Sequence, residues 1–182
     1  MLAVMPVPMK NRGFTLIELL VVLAIAAIIA LVAAPSFQRT MVQQKVSTVA
    51  SELLVSAMQA RSEAIKNNTA TLVQPLVSAD WSRGWRVYID ADGDRTFSTG
   101  DTLITTVPAA DTNIVQDAAA FAGANYIGYN ASGFIISSNA GRVVFAANPS
   151  IDYKKGVKIS RIGRPRVCTS KTGSDGCAAS DD

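Results

Sequence analysis

Four groups of residues in this 182-residue chain have types and spacings that could do chemistry. The first is acidic. Asp90, Asp92 and Asp94 alternate and Asp101 follows, matching positions one, three, five and twelve of a loop that converges hard oxygen ligands on calcium. Arg95 stands where such a loop carries its glycine, and Gly93 comes too early. No helix is expected on either side. Asp-Gly pairs are also common turn formers, so a hairpin loop is the preferred reading and calcium a weak candidate. The second group is basic. Lys154, Lys155, Lys158, Arg161, Arg164, Arg166 and Lys171 lie between Tyr153 and Lys171 with no acid among them. Such a strand-turn-strand could grip phosphates without reading bases. The same alternation also keeps an exposed strand soluble and discourages edge pairing. The third group is Cys168 and Cys177, nine positions apart. In an oxidising compartment they would close a loop worth roughly 2–3 kcal/mol, two free thiols being the alternative. The fourth is Glu18, the single charge in an apolar run from Phe14 to Ala34.

Catalysis finds little to work with. The chain has no histidine, which removes His-based triads, His general bases and His metal ligands. Two cysteines cannot build a four-cysteine zinc site. No motif brings a Lys-Ser or paired-carboxylate chemistry together, so no enzyme and no cofactor is expected. The net charge is +3. It is nevertheless split, with acids concentrated between Asp90 and Ala120 and cations near the C-terminus.

The elements that must hold these groups start with the apolar run. A helix over residues 14–34 rises roughly 30 Å, the thickness of a bilayer's hydrocarbon core. The preceding residues carry Lys10 and Arg12 and no acid, so the positive-inside preference keeps them cytoplasmic and sends the bulk of the chain across. A cleaved secretory signal or a plain signal anchor are the other readings. The length of the run, its internal carboxylate and Pro35 at the first position after an Ala34 cut speak against a secretory signal. A carboxylate in a lipid-facing helix costs roughly 2–4 kcal/mol and calls for a partner.

Beyond Pro35, which should kink or loosen the helix, Val42, Val46, Val49, Leu53, Ala57, Ala60 and Ala64 recur at helical spacing and form one apolar stripe. Asn67-Asn68 supplies a stop. From Thr69 the period becomes that of strands. Runs at Trp85–Ile89, Leu103–Val107, Tyr126–Tyr129, Phe134–Ser137, Arg142–Ala146 and Gly156–Ile162, with turns at Asn130–Gly133 and Asn139–Gly141, predict six to eight strands in a small antiparallel sheet. The expected fold class is α+β. It divides into a basic leader (1–13), a membrane half-helix (14–34), an amphipathic half-helix (35–68) and a β-rich head (69–182).

The run Lys10-Asn-Arg-Gly13-Phe14-Thr-Leu-Ile-Glu18-Leu-Leu-Val-Val resembles the start of type IV pilins and pseudopilins. The resemblance implies that prepilin peptidase cuts between Gly13 and Phe14 and methylates Phe14. It makes Glu18 the assembly residue that meets the N-terminal amine of a neighbouring pilin. Met1 and Met9 are both possible starts. The segment Leu53–Lys66, the Trp81-x-x-Gly-Trp85 pair and Ile159–Cys168 resemble the GspH/FimT/FimU group of minor pilins and pseudopilins. Within that group Gly163-Arg-Pro-Arg166 matches a Gly-Arg-x-Arg pattern tied to DNA uptake. This makes Arg164 and Arg166 the leading contacts for double-stranded DNA, with Arg161, Lys158 and Lys171 in support. The implied location is the inner membrane, N-terminus cytoplasmic and head periplasmic, and then a pilus or pseudopilus. A minor pilin and a minor pseudopilin of type II secretion both fit.

Overall fold

A computed structural model describes residues 13–120, 125–136, 141–147, 153–171 and 174–177, with the side chains of 32–36, 118–120, 171, 174 and 175 left aside. The leader before Gly13, both candidate starts, part of the expected 139–141 turn and the tail from residue 178 lie outside the described residues. The chain divides into two compact units, Met1–Arg39 and Thr40–Asp182.

Helix α1 covers Leu16–Asn67. In the first unit Thr15 caps it, its Oγ1 accepting from the Glu18 N–H at 3.3 Å. Thr15-x-x-Glu18 is the sequence form of a capping box, and it puts an acid in the first turn, where the helix dipole favours negative charge. All described side chains from Phe14 to Leu31 are exposed. Among the described residues no helix is long and apolar enough to cross a membrane, the described side chains of this stretch ending at Leu31.

In the second unit the predicted stripe is core. Val46, Val49, Leu53, Ala57, Ala60 and Ala64 are buried, with Val42 packed at the margin. The three alanines near the C-terminal end let the sheets come close to the helix axis. The helix ends as Asn67-Asn68 predicted. Asn68 takes a left-handed φ of 51°, and Thr69 N–H reaches back to the Ala64 carbonyl at 3.3 Å, the bond pattern of a Schellman stop with asparagine in glycine's place.

The head holds two antiparallel sheets rather than the single sheet expected, and nine strands among the described residues rather than six to eight. The first contains β1 (Thr71–Val77), β2 (Asp80–Ile89), β3 (Thr102–Val107) and β5 (Ile127–Tyr129), in the order β3-β2-β1-β5. The second contains β4 (Ile114–Ala120), β6 (Gly141–Ala147), β7 (Lys154–Ile159), β8 (Pro165–Lys171) and the two-residue β9 (Ser174–Asp175), in the order β4-β6-β7-β8-β9. Phe134–Ser137 is not a strand. Only Ile135 bridges, to Tyr129, and Ser137 lies outside the described residues.

Trp85 ties the layers together. Its indole N–H donates to Ser56 Oγ of α1 at 2.9 Å, and its ring meets Phe145 of β6 with centroids 6.3 Å apart. Both tryptophans are buried, 6.5 Å from each other. Gly84 between them has φ +89°, and a Cβ there would lie 2.4 Å from the Val107 carbonyl oxygen. Only glycine allows the β2–β3 pair to close at that point.

Candidate functional site

The acidic loop joins β2 to β3 and is the hairpin connection the Asp-Gly pair implied. Residues 90–101 carry Asx-type turns, in which backbone N–H groups donate to side chains: Gly93 to Asp90 at 3.0 Å, Asp94 to Asp92 at 3.2 Å and Thr96 to Asp94 at 2.6 Å. One carboxylate oxygen from each of Asp90, Asp92 and Asp94 lies within 4.8 Å of the others. Asp101 is not in that group. It clasps the two limbs of the loop by accepting from Ala91 N–H at 3.0 Å and Ser98 N–H at 2.7 Å. Arg95, the apparent mismatch in the sequence, has φ +64°. It adopts the left-handed conformation that the missing glycine would have supplied. Burial, above all, raises the carboxyl pKa of Asp90, against the pull of N–H groups from Arg95 and Gly93.

The basic residues divide into two places. Arg142, Lys158 and Arg166 are directly in register across β6, β7 and β8, so three cations form a row across the second sheet, and the Arg142 guanidinium also donates to the Cys177 carbonyl. Arg164 stands elsewhere. It follows a tight turn in which Gly163 N–H donates to Ser160 carbonyl at 2.9 Å and Arg164 N–H to Ser160 Oγ at 3.2 Å. Gly163 has φ +78°, and a Cβ on it would lie 2.7 Å from the Gly133 carbonyl oxygen, so the turn needs glycine. Arg164 lines a groove of about 500 Å³ with Met58, Arg61, Ser62, Ile65 and Pro165. Arg161 is exposed on the turn itself. The Lys171 side chain lies outside the described residues. Sequence reasoning missed Arg61, which donates to the Ile162 carbonyl at 3.5 Å, and Arg142. Their signals were a cation off the apolar stripe of α1 and a cation at an outward position of β6.

Cys168 and Cys177 form a disulfide with Cα atoms 5.1 Å apart, packed on Val144. It ties the middle of β8 to the residues just after β9, beside the cationic row. A groove of about 780 Å³ between α1 and β3 is lined by Val55, Val107 and Pro108 together with hydroxyl and amide side chains, and Glu52 is its single ionisable side chain. That set holds neither a base–nucleophile pair nor a metal site.

Residues 49–163 match the family described as Type II transport protein GspH, and residues 8–34 match the prokaryotic N-terminal methylation motif. No curated protein matches the chain in sequence. Among solved structures, the type IV minor pilin FimU of Pseudomonas aeruginosa is similar with TM-score 0.57 at 18% identity, over 72% of this chain and 92% of that one. The minor pseudopilin EpsH from the type 2 secretion system of Vibrio cholerae is similar with TM-score 0.50 at 16% identity, over 71% and 99%. At these identities the structures speak for the fold, which is the α+β fold of type IV pilins. The GspH match covers more than half of the chain, and the protein belongs to the GspH family of pilin-like proteins.

Proposed function

We propose that this chain is a minor pilin of a type IV pilus, with the processing, anchoring and assembly steps of that class. The observation that carries this reading is the run from Phe14 to Leu31, apolar but for Thr15 and Glu18, whose described side chains are all exposed. So much uncovered apolar surface needs lipid or other helices around it. Residues 1–13 are the cytoplasmic leader, 14–34 the inner-membrane and assembly segment, and 35–182 the amphipathic half-helix and periplasmic head. Prepilin peptidase removes the leader at Gly13 and methylates Phe14. Glu18 then meets the amine of a neighbouring subunit as the helix leaves the bilayer for the fibre. Its place in the first turn, beside the cap made by Thr15, lowers the cost of carrying that charge through lipid. Co-expression with prepilin peptidase, followed by mass spectrometry, is expected to give a chain that begins at methylated Phe14. An uncut chain would overturn the assignment.

The head of this pilin binds double-stranded DNA without sequence preference through Arg164, Arg166, Arg161, Lys158 and Lys171. Support comes from the in-register cations and the absence of acids between residues 153 and 171. Gel retardation by the full chain should weaken in Arg164→Gln/Arg166→Gln, and equal retardation by both proteins would remove the DNA assignment.

The description of the matching family, a type II transport protein, favours a second reading, a minor pseudopilin in type II secretion. A host strain lacking the gene separates the two. Loss of surface pili with secretion intact supports the pilin, and the reverse supports the pseudopilin.

A further inference from the structure

DNA binding uses the charge of Arg164 and leaves unexplained the groove that this residue lines. The groove, of about 500 Å³, sets two guanidinium groups, Arg61 and Arg164, among the apolar side chains of Met58, Ile65 and Pro165. Arg61 and Ile65 both lie against one turn, since a Cβ built on Gly133 would stand 3.2 Å from Arg61 Nε and 2.8 Å from Ile65 Cδ1. Among the described residues no ion pair involves either arginine, and no acid lines the groove. Met58 and Ile65 are at least half exposed, as are Phe134 and Ile162 on the two abutting turns. A phosphate backbone would satisfy the arginines and leave this apolar surface in water. A polypeptide segment with carboxylates beside an aliphatic side chain satisfies both.

The same head presents such a segment on its other flank. Thr102, Ile89, Thr71 and Tyr129 pair in one line across the first sheet. The acidic loop after Ile89 and the Gly133 turn after Tyr129 therefore leave the same end of that sheet at opposite edges, about 14 Å or three strand spacings apart. The loop exposes Asp92 and Asp94, and Leu103, two residues beyond Asp101, is half exposed. β3, into which the loop runs, is the outer strand of its sheet among the described residues, and it has neither a charge nor a proline from Thr102 to Val107. Edges left in water are usually blunted by such residues. This flank has the composition of a covered one.

We propose that the groove of Arg61 and Arg164 is a contact between two copies of this chain, and that its occupant is the β2–β3 loop of the neighbour. Asp92 and Asp94 meet the two guanidinium groups, and Leu103 packs against Met58 and Ile65. Because the two surfaces lie on opposite flanks, the contact is head-to-tail. A copy docked through its loop still has its groove open for the next, the kind of interface from which helical fibres grow. The contact presupposes the pilin reading, in which membrane anchoring sets neighbouring heads side by side in one orientation.

The test uses the full chain in phosphatidylcholine vesicles. Unlabelled protein carrying photoreactive benzoylphenylalanine in place of Ser62, which lines the groove, is mixed with isotope-labelled parent. Illumination should join position 62 of one copy to residues 90–103 of the other, the label showing by mass that two copies are involved. Asp92→Lys/Asp94→Lys and Arg61→Glu/Arg164→Glu should each lower this crosslink about tenfold when used alone. Mixing the two variants should restore it, because the reversed loop of one then meets the reversed groove of the other. A variant that had merely lost its fold could not be rescued in this way. A crosslink that ignores both reversals, one that leads to another part of the neighbour, or none in chains that resist carbonate extraction overturns the contact alone. Chains that carbonate extracts from the vesicles overturn the anchored reading and the contact with it.

Discussion

The two charged regions of the head are built on opposite plans. In the β2–β3 loop three acids converge on one point, each carboxylate turned inward by N–H groups of its own loop. In the second sheet Arg142, Lys158 and Arg166 are drawn out in a line, one per strand, at the roughly 4.8 Å interval that strand pairing imposes. A convergent cluster suits a point charge, while a row suits a ligand whose own charges repeat. The acidic loop also gains its order from backbone donors within a few residues. The cationic row depends on the register of three successive strands, β6 to β8, and like charges opposite one another weaken that pairing. The first region is therefore locally determined and the second depends on the fold around it.

Removing what both regions share should erase the contrast. Trp85 lies on the strand that carries the acidic loop, packs on Phe145 of the cationic sheet and bonds to Ser56 of the helix. Trp85→Ala is expected to cost about 3–5 kcal/mol, seen as a lower denaturation midpoint. Circular dichroism and the fluorescence of the remaining Trp81 should report one coincident transition. Separate transitions for the two sheets would show that each region stands on its own.

Opening the disulfide should separate the regions. Cys168→Ser/Cys177→Ser releases the segment beside the cationic row and is expected to cost about 2–3 kcal/mol in denaturant. DNA retardation should fall, while amide hydrogen exchange in the acidic loop stays that of the parent. Faster exchange there would mean that the loop, too, depends on the second sheet.

How far each region was legible in the sequence follows from the same contrast. The helix stripe, the stop at Asn67-Asn68, the acidic turns and the cysteine pair are local patterns, and each could be read as it stood. Three strands could not. β1 contains Pro75, a residue that argues against a strand, but β5 pairs only with Thr71–Val73, so the proline's missing N–H breaks no bond on that side. β4 carries an alanine run that reads as helix, and it becomes a strand through its pairing with β6. β8 opens with Pro165, tolerated at a first strand position. Without β4 a second sheet was invisible, and so was the register that sets Arg142, Lys158 and Arg166 in one row. The placement of Arg61 beside Arg164 depends on the helix docking against the 160–164 turn, a contact across about a hundred residues that no local pattern announces.

A smaller effect counts the phosphates taken by the row and by the turn beside it. If Arg164 and Arg166 each neutralise one phosphate, replacing both with glutamine should reduce the slope of log affinity against log salt by about 2. Stability should change by no more than about 0.5 kcal/mol, since both are surface residues. Arg61→Gln alone should lower the slope by about 1 if the groove beside Arg164 also takes a phosphate. An unchanged slope in that variant would confine the phosphate path to the sheet face.

The smallest expected effect concerns an acid that belongs to neither plan. Asp111, in the connection between β3 and β4, accepts from Lys45 Nζ of α1 at 2.7 Å, and Asn113 N–H also donates to it at 3.0 Å. Together they hold its carboxyl pKa below the ordinary value, the Lys45 bond contributing most. A depressed carboxylate stabilises the fold above its unfolded pKa, and that contribution is lost as pH falls through the folded pKa. Lys45→Met should therefore move the Asp111 titration, followed by carboxyl NMR, back up toward the ordinary range and shrink the fall in stability as the pH drops below about 4. The pair is exposed to solvent, so 1 M salt should produce part of the same shift in the parent protein. A titration indifferent to both changes would assign the depression to Asn113 and the local turn, and would make Asp111 another acid held by its own loop, as Asp90, Asp92 and Asp94 are.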